Sequence, residues 1–104
     1  MAVASVHTIR VKPGRIQDFQ SINAEGTKIL ERLGARVRVW RPVAGGEPAS
    51  VSYVLEYDDM KQFGEFSDKL QSDSEWQALV QRIQSNPDPA TEPVSNVLIT
   101  DLLQ

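Results

Sequence analysis

The chain of 104 residues contains no cysteine and one histidine, His7. The first absence excludes disulfides, thiolate metal sites and a cysteine nucleophile. The second leaves a histidine-based metal site without a partner for its only imidazole, so no metal is expected. A phosphate-cradling glycine loop, a nucleophile triad and a carboxylate pair at a telling spacing are also lacking, and no cofactor is expected. Long apolar runs are missing too. None approaches the roughly 20 residues that span a bilayer, and residues 1–11 alternate around His7 and Arg10 where a signal peptide would carry an apolar block. The expected setting is the cytoplasm, with no membrane partner. Positive charge is in deficit: 11 Lys and Arg stand against 14 Asp and Glu, a net charge of −3. Nucleic-acid binders need a basic surplus to neutralise phosphates, so no nucleic-acid partner is expected.

What remains is ordinary globular material. Hydrophobic residues make up 40% and charged residues 24%, a balance that folds, and the length fits one domain over 1–104. Val3 to Val11 alternates as a strand and stops at Lys12-Pro13-Gly14. Ile16, Phe19, Ile22, Gly26, Ile29 and Leu33 then recur at helical spacing up to Gly34, a C-terminal cap. Gly26 lies on that apolar face, where a close approach of the helix to a sheet is expected.

Residues 35–43 read as a second strand, 44–48 as a loop and 50–57 as a third strand. Asp58-Asp59 opens a second helix, striped by Met60, Phe63 and Leu70. Ser72-x-x-Glu75 matches a capping box, so that helix breaks and restarts with Trp76, Leu79, Val80 and Ile83 inward. Residues 85–93, with three prolines, read as a loop, and 94–103 as the last strand. The order is βαββαβ: a ferredoxin-like α+β fold, a four-stranded antiparallel sheet with two helices, the second interrupted, on one face.

The other sheet face is left bare. Alternation places Val37/Val39, Tyr53/Leu55/Tyr57 and Val97/Ile99 under the helices. It places Arg36/Arg38/Trp40, Ser52/Val54/Glu56 and Asn96/Leu98/Thr100 on the bare face, with Val6/Thr8/Arg10 from the first strand. A mixed apolar patch of that kind is best buried against a second copy, which makes the chain itself the expected partner. Glu56 is expected to pair with Arg36 or Arg38, because buried charges need partners.

Lys12-Pro13-Gly14-Arg15 followed by Phe19 resembles the first strand-to-helix junction of the dimeric α+β barrel superfamily. Val54-Leu55-Glu56-Tyr57-Asp58-Asp59 resembles its third strand and helix entry, and Ser72-Asp73-Ser74-Glu75-Trp76 the interruption of its second helix. Within the superfamily the chain looks closest to the NIPSNAP-like and antibiotic-biosynthesis-monooxygenase-like families. The resemblance implies a homodimer whose sheets form a barrel, often with a small-molecule pocket between sheet and helices. It fixes no activity, since the superfamily holds cofactor-independent monooxygenases, cyclases, isomerases and members without known chemistry. The histidine that monooxygenase-like members often carry in the second helix region has no counterpart in residues 59–83.

The candidate catalytic residues are His7, a general base with a pKa near neutrality, and Arg38, a cation able to polarise a carbonyl. The candidate substrate-binding residues are Arg36, Trp40, Tyr53, Glu56 and Tyr57. Each has a plain structural alternative: a locally bonded strand histidine, an ion-pair network, aromatic core. Two functions therefore stand side by side. One is a small enzyme of monooxygenase, cyclase or isomerase type acting on a hydrophobic or aromatic compound; the other is a non-catalytic homodimeric ligand-binding or interaction module. RNA recognition, which shares the layout, stands behind both, because the third strand lacks the basic glycine-aromatic signature.

Overall fold

The computed structural model describes residues 2–46 and 49–103; Glu47 and Pro48 of the expected 44–48 loop lie outside the described residues. Among the described residues the elements run β1 (Val3–Val11), α1 (Ile16–Arg32), β2 (Arg36–Trp40), β3 (Ser50–Tyr57), α2 (Met60–Ser72), α3 (Ser74–Ser85) and β4 (Thr91–Thr100). The strands form one antiparallel sheet in the order β2-β3-β1-β4. This is the expected ferredoxin-like α+β arrangement.

Local chemistry sets most boundaries. Gly14 has a positive φ of 76° in the turn after β1, a conformation glycine adopts without the Cβ clash other residues meet. At the end of α1, Gly34 donates to the Glu31 carbonyl at 3.0 Å and Ala35 to the Leu30 carbonyl at 3.1 Å. Together with φ 110° at Gly34 this is a Schellman cap, which satisfies carbonyls the helix end leaves free.

The break between α2 and α3 falls where expected, but its cap is one residue later. Asp73, not Ser72, accepts from the Trp76 amide at 2.9 Å, and it also receives Arg32 Nη2 at 2.8 and 2.9 Å. The Ser72 hydroxyl instead donates back to the Asp68 and Lys69 carbonyls inside α2. A carboxylate wins the cap because it accepts two kinds of donor at once. The Arg32 guanidinium first, then the Trp76 amide, hold the Asp73 carboxyl below its ordinary pKa. Asp73→Ala is expected to lower the melting temperature by roughly 4–8 °C, and Asp73→Asn, which keeps the cap, by less; thermal denaturation checks both.

Readings of β2 and β4 are corrected. β2 stops at Trp40 rather than running to residue 43, because Arg41 precedes Pro42, which cannot donate to the ladder. β4 starts at Thr91, not at residue 94, and includes Pro93, which an edge strand tolerates. Val94 is the extra residue of a bulge: Ile9 pairs with Pro93 while Thr8 pairs with Ser95. A bulge reverses the alternation beyond it. Asn96, Leu98 and Thr100 therefore lie across from His7, Ser5 and Val3 on the helix side, and Val97 and Ile99 lie on the bare side, the reverse of the expectation.

The helices cover a core in two parts. Leu30, Ala35, Leu55, Tyr57 and Phe66 form one, and Val11, Phe19 and Val51 the other. Tyr57, 1% exposed, meets the rings of Phe63 and Phe66 at centroid distances of 5.2 and 5.3 Å. The two parts do not merge. Gly26 faces α3 rather than the sheet: a Cβ there would meet Leu79 Cδ2 at 3.5 Å, an ordinary contact. The gap between the two clusters is the site.

Candidate functional site

A cavity of about 290 Å³ occupies that gap, walled by Phe19 and Ile22 of α1, Leu70 and Trp76 of α2 and α3, and His7 and Tyr53 of the sheet. A second lobe of about 400 Å³ adjoins it, sharing His7, Leu55 and Leu70 and adding Ser5, Tyr57, Ser67, Asn96 and Leu98. His7 thus stands on the sheet floor where the lobes meet. No charged side chain among the described residues lines either lobe.

β1 and β3 position the polar groups. His7 is the direct cross-strand partner of Tyr53, so both side chains rise from adjacent strands on the same face. Burial pushes the half-buried His7 imidazole below its ordinary pKa of 6.5, because the apolar surroundings disfavour the cation. Burial moves Tyr53 the other way, to about 12. At neutral pH the pair is a neutral imidazole beside a protonated phenol. Tyr57 is likewise raised by burial, with the Ser5 hydroxyl pulling back. Ser5 itself, 5% exposed, has no hydrogen-bond partner of ordinary geometry for its Oγ.

A lowered histidine pKa has a definite sign for stability. As pH falls through 6.5 the unfolded chain takes up the proton before the folded chain does, so stability declines until the folded pKa is passed. His7→Gln is expected to remove that segment of the profile; urea midpoints between pH 7.5 and 5 compare the two proteins.

The candidate residues divide between the two faces. His7, Tyr53 and Tyr57 line the cavity. Arg36, Arg38, Trp40 and Glu56 lie on the bare face, where Arg38 pairs with Glu56 at 3.5 Å and Arg36 with Asp58 at 3.1 Å. His7 and Arg38, the two candidate catalytic groups, are therefore not brought together within one chain. Ser5 and Asn96 were missed as cavity residues. Ser5 had a signal, a hydroxyl among the inward positions of β1; Asn96 had none, because the bulge decides its face.

The bare face carries Val6 and Val54 half-buried, with Trp40 57%, Val97 49% and Ile99 47% exposed. Its central strands present Ala4, Val6, Thr8 and Arg10 from β1 and Ser52, Val54 and Glu56 from β3, with no aromatic ring on which a base would stack. No described helix is long and apolar enough to cross a membrane.

No protein-family profile matches the chain, and no curated protein matches it in sequence. Solved structures do. An uncharacterised NIPSNAP domain protein from Burkholderia xenovorans is 26% identical with a TM-score of 0.70, over 95% of this chain and 93% of that one. A NIPSNAP family protein from Agrobacterium tumefaciens is 22% identical with a TM-score of 0.74, over 98% and 96%. An antibiotic biosynthesis monooxygenase-like protein from Bordetella bronchiseptica is 20% identical with a TM-score of 0.64, over 97% of each chain. The chain has the α+β fold of the NIPSNAP and antibiotic biosynthesis monooxygenase-like proteins, the superfamily its sequence resembles.

Proposed function

We propose that the chain works as a cytoplasmic homodimer that takes a small hydrophobic or aromatic compound between its sheet and its helices, and that His7 acts on it as a general base without a cofactor. The observation that carries this reading is the pairing of His7 with Tyr53 in a lobe whose other walls, Thr91 apart, are apolar. Two titratable groups driven apart by their environment divide naturally into a base and a proton donor. His7 removes a proton from an activated carbon or hydroxyl, and Tyr53 donates a hydrogen bond to the oxygen on which charge collects. Such a first step serves oxygenation by dioxygen, ring closure and isomerisation alike.

A second reading has its own support. Among the described residues no carboxylate lines the cavity to orient His7, and Arg38 is on the other face, so the polar groups do not converge as a catalytic constellation normally does. In that case the same homodimer binds its ligand without changing it. One probe separates the two. 2-Tetralone is a neutral aromatic ketone with an acidic CH₂ group. It is expected to raise the melting temperature and to exchange that CH₂ with D₂O faster in the presence of the protein, as followed by NMR. Stabilisation without faster exchange assigns the binding module. No stabilisation by 2-tetralone or a panel of similar compounds overturns the cavity as a ligand site.

A further inference from the structure

Beyond the location of the site, the second lobe bears on what the site takes. We infer that the ligand is a neutral amphipathic molecule, its apolar body in the first lobe and an uncharged hydrogen-bonding head in the second, against Ser5 and Asn96. This rests on the cavity being a ligand site, as proposed above.

The two lobes differ in chemistry. The first is walled by Phe19, Ile22, Trp76 and Leu79, and suits a ring or short chain. The second sets three small neutral polar groups, Ser5, Ser67 and Asn96, beside the His7 imidazole and the Tyr57 phenol, and the rest of its wall is apolar. Ser5 is the informative one. A buried hydroxyl without a proper partner is destabilising, and native proteins rarely leave one unless something else completes it. The Tyr57 phenol acts on this hydroxyl without meeting it in hydrogen-bond geometry, and a ligand hydroxyl, carbonyl or amide arriving in that lobe supplies a well-aligned partner. Asn96 and Leu98, both exposed on edge strand β4, lie at the rim of the same lobe and leave a way in.

The absence of charge on the described walls sets the other half of the inference. A carboxylate, phosphate or ammonium entering either lobe would leave water and meet no counter-charge, a heavy desolvation cost. The guanidinium groups of Arg36 and Arg38 lie on the opposite side of the sheet and offer no compensation.

Three naphthalenes with one body and different heads test this: 2-naphthaleneethanol, 2-ethylnaphthalene and 2-naphthylacetate, each measured by displacement of N-phenyl-1-naphthylamine fluorescence. The alcohol is expected to bind at least as tightly as the hydrocarbon, and the carboxylate roughly tenfold or more weaker. Ser5→Ala is expected to weaken the alcohol about fivefold and leave the hydrocarbon within about twofold, and Asn96→Leu to do the same. Equal binding of alcohol and carboxylate, or indifference of the alcohol to both variants, overturns the inference while the cavity stands. Failure of all three compounds to bind overturns the cavity and the inference together.

Discussion

Val97→Asp is expected to convert the protein from a dimer into a monomer, with self-association weakened roughly 100-fold or more. Sedimentation velocity over a concentration series measures this. The wild type is expected to run at twice the mass of the chain, and the variant at the mass of one chain. Val97 and Ile99 sit on the side of the sheet the helices leave bare, beside Val6, Val54 and Trp40. Single exposed apolar residues are common; a contiguous set across all four strands is not, and burial against a second copy removes it from water. A carboxylate at position 97 would face apolar surface in that interface. The nearby charges are already engaged within the chain, Arg38 with Glu56, Arg36 with Asp58 and Arg10 with Glu92. Gln81→Asp, which places the same charge on an exposed position of α3, is expected to leave the dimer intact. If the wild type itself runs as a single chain at working concentration, the homodimer is wrong, and Arg36, Arg38, Trp40 and Glu56 become ordinary surface residues. The cavity argument survives that outcome, because no residue of the bare face lines the cavity.

The order of elements was readable in the sequence because strong local signals agree with one another. Alternation over Val3–Val11 and Ser50–Tyr57 gave both central strands to the residue, and Gly34 marked the end of α1. On β1 alternation favours Val6, Thr8 and Arg10 for the bare face, but a one-residue slip would exchange the two faces, and only the pairing of His7 with Tyr53 places the imidazole on the helix side. What failed was parity on β4. Thr91 and Pro93 face the helices, and simple alternation from them would bring Ser95, Val97 and Ile99 to the same side. The extra residue Val94 reverses that order. Nothing in the local sequence compels a bulge at that residue, since both faces of β4 carry apolar side chains and either parity buries some of them. The cavity was equally out of reach. Phe19, Leu70, Trp76 and Leu79 read as core at helical spacing. Only their placement relative to the sheet shows that the two clusters stop short of each other.

The separation of His7 from Arg38 changes which substitution is decisive for function. Were the site on the bare face, Arg38→Ala would have the largest effect. With the proposed site in the cavity on the helix side, His7→Gln is expected to have it. Glutamine keeps much of the imidazole's size and a hydrogen-bonding amide but accepts no proton at neutral pH, so it isolates the base from the shape. The protein-dependent exchange of 2-tetralone is expected to fall roughly 100-fold or more, while affinity changes little, since the apolar walls are untouched. The pH profile gives an independent sign. The proposed base must be neutral imidazole, and burial holds the His7 pKa below 6.5. The exchange rate constant of the bound ketone should therefore keep its plateau as pH falls past 6.5, and decline only at the lower folded pKa. Tyr53, pushed up to about 12, stays protonated throughout and contributes no break near neutrality. Tyr53→Phe is expected to slow exchange without moving the acid limb. Exchange that survives in His7→Gln at the wild-type rate assigns the proton transfer to solvent, and the cavity then holds its ligand without acting on it.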